Sequence, residues 1–198
     1  MDDYRYQALR TLTRARFDVI QNLTREKQRF ANYLFLKCSG IAQDKDIQNT
    51  SATTIALMER FETVDDLANA DLEELTSFID EKGRNFADPA AKAKAIQTAA
   101  RDSYRLPITV NNSVNQAMAV SIASMRALER QVKVLDKAIE HQFEIIPNTL
   151  ISIPGIGKVY SAGIIRENPD LLNEYRRGFF PCWEVSSAAF CQALIIEN

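Results

Sequence analysis

A seven-residue repeat of apolar side chains in the second half of the sequence constrains the fold more than any other feature. Such a repeat, kept over about four heptads, places one apolar seam along an α-helix, and a β-strand cannot produce it. It predicts one long helix from about Ser113 to Ile146, ended by Pro147. The seam pairs either with a second copy of the chain or with another long helix of the same chain, and the spacing leaves both open. Its members are Met118, Ser121, Met125, Leu128, Val132, Leu135, Ile139 and Ile146.

A second long helix is predicted from Tyr4 to Lys37, before the break at Ser39-Gly40. Helical spacing gathers its apolar residues into one stripe and its arginines on the opposite face. The stripe consists of Leu9, Leu12, Val19, Ile20, Leu23, Phe30 and Leu34. The opposite face, called the arginine face below, carries Arg10, Arg14, Arg25 and Arg29, with Gln7, Gln21, Gln28 and Asn32 between them.

The charge of this first helix is strongly one-sided. Residues 4–37 hold eight Lys or Arg and two Asp or Glu, whereas residues 57–81 hold nine acidic residues and one basic residue. Because guanidinium groups match phosphate oxygens, the arginine face predicts contact with the backbone of DNA or RNA; the alternative is an ordinary solvated helix face. Arg16 and Lys27 fall inside the apolar stripe, so we expect them either to extend to solvent or to meet a carboxylate on a facing helix.

Between the two long helices the sequence predicts a small helical insert over residues 41–112. Residues 41–52 are polar and are predicted to be a connector, and several short helices follow. The acidic residues of the insert cluster in predicted first turns, where the helix dipole favours them, and their spacing does not converge on a metal ion. The predicted caps are Ser51 or Thr53, Thr63 with Asp66, Asn69, and Asp88 before Pro89.

A Pro-Gly-Ile-Gly-Lys segment predicts a helix-hairpin-helix over residues 148–166. Gly155 and Gly157 can adopt positive φ and carry no Cβ, so the backbone of another molecule can come close. The N–H groups of Gly157, Lys158 and Val159 would open the second helix and bind a phosphate, and Lys158 would add a positive charge. The alternative is a turn between two core helices with no ligand. The predicted nucleic-acid-binding residues are Pro154, Gly155, Ile156, Gly157 and Lys158, together with Arg10, Arg14, Arg25 and Arg29.

Composition excludes several classes of protein. His141 is the only histidine and the three cysteines are scattered, so we expect no histidine-based catalysis, zinc site or disulfide framework. No signal peptide precedes the first helix and no apolar run is long enough for a bilayer, which predicts a cytoplasmic protein without a membrane partner.

The predicted fold is mainly α: long antiparallel or coiled-coil helices (1–40 and 113–147), the small insert (41–112), a C-terminal helix-hairpin-helix (148–166) and an atypical tail (167–198).

Four stretches together resemble the DEDD-type transposases of the bacterial insertion-sequence 110 (116/902-like) family. They are Ala8–Phe17, Leu23–Arg29, Leu72–Arg84 and Ile151–Ile165, and they follow one another in the family's order within residues 4–165. The family's members are enzymes that cut and rejoin DNA under the guidance of a structured RNA. They combine an N-terminal RuvC-like domain with four acidic metal ligands, a helical region, and a C-terminal domain that begins with the hairpin and supplies a nucleophilic serine.

The resemblance implies a part of such a transposase, with DNA and a structured guide RNA as partners and self-association through the heptad helix. Mg²⁺ would belong only to the RuvC-like domain, so we expect no cofactor in this chain. No segment after Ile165 matches the family segment that bears the nucleophilic serine. Ser186-Ser187 lacks the flanking residues of that segment, so no catalytic residue is assigned.

The two departures from the family suggest a disrupted gene. The sequence begins where the RuvC-like domain would end, and a frameshift near Arg166 would explain the tail. We therefore expect binding of nucleic acid rather than strand transfer by this chain alone. The alternatives are a non-catalytic helix-hairpin-helix protein that binds nucleic acid, and a helical interaction protein whose arginine face pairs with the acidic insert.

Overall fold

The computed structural model describes residues 4–83, 88–146 and 157–167, and within these ranges the chain forms eight helices and no strand. The mainly α fold class predicted from the sequence is confirmed. Residues 147–156, which include Pro154, Gly155 and Ile156, and the tail from residue 168 lie outside the described residues. The helices are α1 (Tyr4–Lys37), α2 (Ser39–Gln43), α3 (Ala52–Arg60), α4 (Val64–Ala68), α5 (Leu72–Lys82), α6 (Pro89–Arg101), α7 (Ile108–Glu144) and α8 (Lys158–Glu167).

The chain divides into two compact units, and the long helices α1 and α7 contribute residues to both. The first unit comprises Met1–Asp18 and Val132–Asn198, and the second comprises Val19–Gln131. Of the two arrangements that the heptad seam allowed, the seam packs within the chain, because α7 lies against α1. Its residues Met118, Ser121, Met125, Ile139 and Ile146 are buried, and Leu128, Val132 and Leu135 are partly buried.

The first unit is held by a small apolar cluster from α1, α7 and α8. Leu9 of the predicted stripe is fully buried together with Ile139 and Phe143 of α7. Ala162 and Ile165 of α8 complete this cluster. Burial of apolar surface from three helices is the main stabilising contribution here.

In the first unit Arg16 of α1 pairs with a carboxylate on a facing helix. This is one of the two outcomes that the sequence predicted for Arg16. Its Nε donates a hydrogen bond of 2.5 Å to Oδ1 of Asp136 on α7, and both side chains are about one-third exposed. Partial burial strengthens such an ion pair relative to one at the open surface. The pair therefore fixes which faces of α1 and α7 meet in this unit.

The second unit encloses the larger core. Phe30 and Leu34 of α1 and Met118 of α7 are buried against the helices of the insert. The insert contributes a buried apolar face from each of its helices, in keeping with their amphipathic spacing. Its main core residues are Ile41, Leu57, Met58, Leu67, Leu75, Ile79, Ala93, Ile96 and Ala100.

Four short helices of the insert each begin at a side chain that caps their first turn. In every case a side-chain oxygen accepts a hydrogen bond from the backbone N–H three residues later, which satisfies one of the free amides of the helix N-terminus. Thr63 and Asp66 also form a reciprocal capping box, as predicted. The caps are Ser51 for α3, Thr63 for α4, Asp71 for α5 and Asp88 for α6.

Three predicted boundaries are wrong. The cap of α5 is Asp71 rather than Asn69, which is instead the residue that ends α4. The heptad helix begins at Ile108 rather than near Ser113, because Pro107 accepts the first hydrogen bonds from Val110 and Asn111. The polar connector predicted over residues 41–52 begins within the short helix α2.

Gly40 allows helix α2 to approach the backbone of α6 closely. A Cβ at this position would lie 2.0 Å from the carbonyl oxygen of Ala99 in α6. The Gly40 N–H donates to the hydroxyl of Ser103 at 2.9 Å, and that hydroxyl donates to the same Ala99 carbonyl at 2.8 Å. Only glycine leaves room for this contact.

None of the helices in the described ranges has a stretch long and apolar enough to cross a membrane.

Candidate nucleic-acid interface

The four arginines predicted to bind nucleic acid are all exposed on α1. Arg10 and Arg14 lie in the first unit, and Arg25 and Arg29 lie in the second. The residues of the predicted apolar stripe on the same helix are buried or partly buried, with Leu9, Phe30 and Leu34 fully buried. The structure therefore separates the two faces of α1 as its helical spacing predicts.

The two arginines of the second unit bond to their own helix and not to another one. Arg25 Nη1 donates to Oδ1 of Asn22 over 3.4 Å, a long and exposed hydrogen bond. Arg29 Nη1 donates to Oε2 of Glu26 over 2.8 Å, one turn back along α1. A guanidinium has five N–H donors, so each of these groups retains most of its donors for another molecule.

An open groove of about 420 Å³ lies between α1 and α7 in the second unit, beside these arginines. Arg25 and Arg29 stand one helical turn apart on the α1 side, and the α7 side presents a hydroxyl, an amide and two apolar side chains. The lining residues are Asn22, Arg25, Glu26, Arg29, Ser124, Ala127, Leu128 and Gln131. The groove is thus lined by cationic groups, by neutral hydrogen-bonding groups and by a small apolar surface.

Glu26 places one carboxylate within this basic groove. The whole residue is 9% exposed, whereas the Arg29 side chain with which it pairs is 65% exposed. The backbone carbonyl of Glu26 lies 3.5 Å from the hydroxyl of Ser121 on α7. The Glu26 carboxylate is therefore largely buried, whereas the Arg29 guanidinium extends toward solvent.

Lys158 of the predicted hairpin is engaged by a carboxylate. Helix α8 begins at Lys158, and the carbonyl of Gly157 accepts a hydrogen bond of 2.9 Å from Ser161 N. Lys158 Nζ donates to Oε1 of Glu144, the last residue of α7, over 2.8 Å. This bond and the opposite charges raise the pKa of Lys158 and lower that of Glu144. A phosphate at this position would have to compete with the Glu144 carboxylate.

The acidic residues of the insert serve as caps and ion-pair partners. Asp66, Asp71 and Asp88 cap helices. Glu59 binds Arg126 through two bonds of 2.8 Å, and Asp65 binds Arg105 over 2.9 Å. No three His, Cys, Asp or Glu side chains converge to hold a metal ion in the ranges that the structure describes.

Lys37 is a buried cation that the sequence did not single out. It ends α1, is 3% exposed, and its Nζ donates to the carbonyls of Met58 at 3.1 Å and Phe61 at 2.7 Å. Removal of the ammonium group from water lowers its pKa to about 8, although the charges of Cys38, Glu62 and Asp66 partly oppose the shift. Lys37 is thereby a structural cation at the end of α3, in contrast to the exposed arginines on the same helix.

Comparison with known proteins gave no match to a family model, to a curated protein or to a solved structure.

Proposed function

We propose that this chain binds the sugar–phosphate backbone of nucleic acid through the arginine face of α1. The observation that carries the proposal is the exposure of Arg10, Arg14, Arg25 and Arg29 on one helix whose opposite face is buried. Guanidinium groups form paired hydrogen bonds with phosphate oxygens and release condensed counterions when they bind. Contacts of this kind position a protein on nucleic acid but do not specify a sequence.

The hydrogen bonds that Arg25 and Arg29 now make leave both guanidinium groups able to bind a phosphate, which supports this role. The exposed hydrogen bond of 3.4 Å from Arg25 to Asn22 contributes little, and the Arg29 side chain is 65% exposed although its partner Glu26 is largely buried. A phosphodiester carries a full charge and several acceptor oxygens, so it competes well for both guanidinium groups.

By its resemblance to insertion-sequence 110 family transposases, we place this binding within DNA transposition and recombination. The partners in this proposal are DNA and a structured guide RNA, in the cytoplasm. The hairpin segment Pro154–Lys158 adds a second phosphate contact. Because the seam of the heptad helix packs within the chain, self-association through this helix would use its exposed side chains, such as Val120 and Val134. Cutting and rejoining of DNA, with the Mg²⁺ that it requires, is assigned to the family's other domains and not to residues of this chain.

The proposal is tested by measuring the affinity for a duplex DNA and a structured RNA by fluorescence anisotropy across a salt series. The test variant is Arg25→Gln/Arg29→Gln. Its matched control is Lys45→Gln/Lys94→Gln, which removes two exposed charges from the insert of the same unit. We expect the test variant to lose about tenfold in affinity, and the slope of log affinity against log salt to fall by about 2.

The control variant should retain both the affinity and the salt slope of the wild type to within about twofold. Equal losses in the two variants would mean that only the overall charge matters, and the arginine face would then have no special role. Absence of binding at low salt would refute the proposal outright.

A further inference from the structure

We infer that the groove between α1 and α7 of the second unit holds one unpaired nucleotide, with its phosphate on Arg25 and Arg29 and its base edge against Glu26. The inference rests on the proposed binding of nucleic-acid backbone and names the form of nucleic acid that this part of the surface selects. The ligand class is single-stranded nucleic acid whose base carries an amino group on its pairing edge.

The groove is open to solvent and has room for a single base. Its volume of about 420 Å³ is that of a shallow surface groove, so an unpaired base lying in it would keep one face toward solvent. A base inside a duplex is stacked and paired, so it cannot enter such a space unless it leaves the helix. An unpaired nucleotide can place its base in the groove while its phosphate stays at the rim.

The arrangement of charge separates the position of the phosphate from that of the base. The Arg29 side chain is 65% exposed at the rim, whereas the side chain of Glu26 is only 12% exposed. The carboxylate repels a phosphate from the interior of the groove, and the guanidinium groups attract it to the edge. A ligand that satisfies both must combine an anion with a neutral group that donates hydrogen bonds.

Glu26 can accept such a hydrogen bond. Its Oε2 accepts from Arg29, and its Oε1 has no partner among the residues that the structure describes. A carboxylate accepts from the N4 amino group of cytosine, but it faces the O4 acceptor of uracil unfavourably. Asn22 and Gln131, which line the same groove, carry amides that can both donate and accept.

The small apolar surface of Ala127 and Leu128 completes the site on the α7 side. The methyl group of Ala127 leaves space above it, and this residue is partly exposed. A larger side chain at this position would fill the groove without changing any charge. Ala127 therefore offers a way to block a base while leaving the arginines in place.

The experiment compares the affinities of the full chain for oligo-dC and oligo-dU of about eight nucleotides and for a duplex. We expect the wild type to bind oligo-dC about fivefold more tightly than oligo-dU. In Glu26→Gln this preference should disappear, because an amide can donate to O4 as well as accept from N4. The matched control Glu129→Gln makes the same charge change outside the groove and should keep the fivefold preference.

A second pair of variants tests whether a base occupies the space above Ala127. Ala127→Trp should weaken binding of oligo-dC by about tenfold and leave duplex binding within about twofold, whereas Ala123→Trp, on the exposed side of α7, should change neither. If Ala127→Trp does not fold, as judged by circular dichroism, the comparison of Glu26→Gln with Glu129→Gln still tests whether Glu26 selects the base.

Two results would overturn the inference alone: duplex binding with equal affinity for oligo-dC and oligo-dU, or a folded Ala127→Trp with unchanged affinity for oligo-dC. Failure to bind any of the three nucleic acids would overturn the proposed function as well.

Discussion

The insert and the arginine face of α1 lie partly in the same compact unit, yet they use their charges in opposite ways. Several acidic residues of the insert cap helix N-termini or pair with basic residues of other segments, as Asp65 does with Arg105 and Glu59 with Arg126. In the part of the chain that the structure describes, Arg25 and Arg29 bond only within α1. The fold therefore uses these paired acidic groups of the insert to join separate segments, whereas it does not use the two arginines in this way. A run of like charges in a sequence indicates a binding surface only when the folded structure does not already pair those charges with other segments of the chain.

This comparison predicts that substitutions in the insert change stability, whereas substitutions on the arginine face change binding. The ion pairs in the described part of the insert use Arg60, Lys82, Arg105 and Arg126 as cations. The hypothesis that Arg25 and Arg29 neutralise the acidic insert thus has no contact to support it in the described residues.

The largest effect is expected at Gly40, where the insert is most tightly packed. Gly40→Ala would place a Cβ 2.0 Å from the carbonyl oxygen of Ala99, so α2 and α6 must separate. We expect a loss of about 3 kcal/mol in the free energy of unfolding, measured by urea denaturation. The control Gly163→Ala adds a methyl group in α8 with no atom within 4 Å and should change stability by less than about 1 kcal/mol. Equal stability of the two variants would show that α2 is not held against α6.

The next effect separates binding from stability on α1. Replacement of Arg10, Arg14, Arg25 and Arg29 together by Gln should reduce affinity for duplex DNA by about a hundredfold, because four phosphate contacts are removed. The free energy of unfolding should change by no more than about 1 kcal/mol, since exposed charges contribute little. If the variant unfolds while the wild type is stable, the arginines are structural and the comparison fails.

An effect of intermediate size is expected at Lys37, whose burial makes the free energy of unfolding depend on pH. Its pKa is about 8 in the folded chain and the ordinary value is 10.5, so the unfolded chain binds more protons between pH 8 and pH 10.5. The free energy of unfolding of the wild type should therefore rise with pH across this window, relative to that of Lys37→Met, by about 2 kcal/mol.

The measurement for Lys37 is the difference in unfolding free energy between wild type and Lys37→Met at a series of pH values. Because both chains share every other titrating group, the difference isolates this one lysine. A difference that stays constant from pH 7 to pH 10.5 would contradict the burial of the charged group in the folded chain.

The smallest effect is expected where α8 begins. Lys158→Gln should weaken nucleic-acid binding by about two- to threefold and spare the fold, since the Lys158–Glu144 pair is exposed. Glu144→Gln should strengthen binding by a similar factor, because it removes a competing carboxylate. Unchanged affinity and salt slope in both variants would assign the hairpin a purely structural role.

Local periodicity predicted the helices that depend on it. The bounds of α1 agree with the structure because its apolar stripe keeps one helical period from Leu9 to Leu34, shortly before the Ser39-Gly40 break. The start of α7 was missed because residues 108–112 carry no seam residue, so the signal of Pro107 was overlooked. The short α2 was missed because its backbone contact with Ala99, 59 positions away in the sequence, sets it in place.

For the candidate site, the sequence predicted which arginines are exposed but not what surrounds them. Exposure follows from helical spacing alone. The groove depends on which face of α7 meets α1, and Gln131 lies more than 100 positions from Asn22. For the same reason the sequence did not indicate the burial of Lys37, because its partners Met58 and Phe61 lie at the end of another helix, α3, more than 20 positions away.

The side-chain caps of the insert have a consequence for the order in which the molecule folds. A short helix is costly to nucleate, but each of the helices α3–α6 closes its first turn with a residue only three positions away. Contacts of such low sequence separation form quickly, within microseconds to milliseconds. In contrast, Glu26 and Ser121 must meet across 95 residues before α1 can dock on α7. We expect refolding to be limited by this closure, with the insert helices already formed on both sides of the barrier.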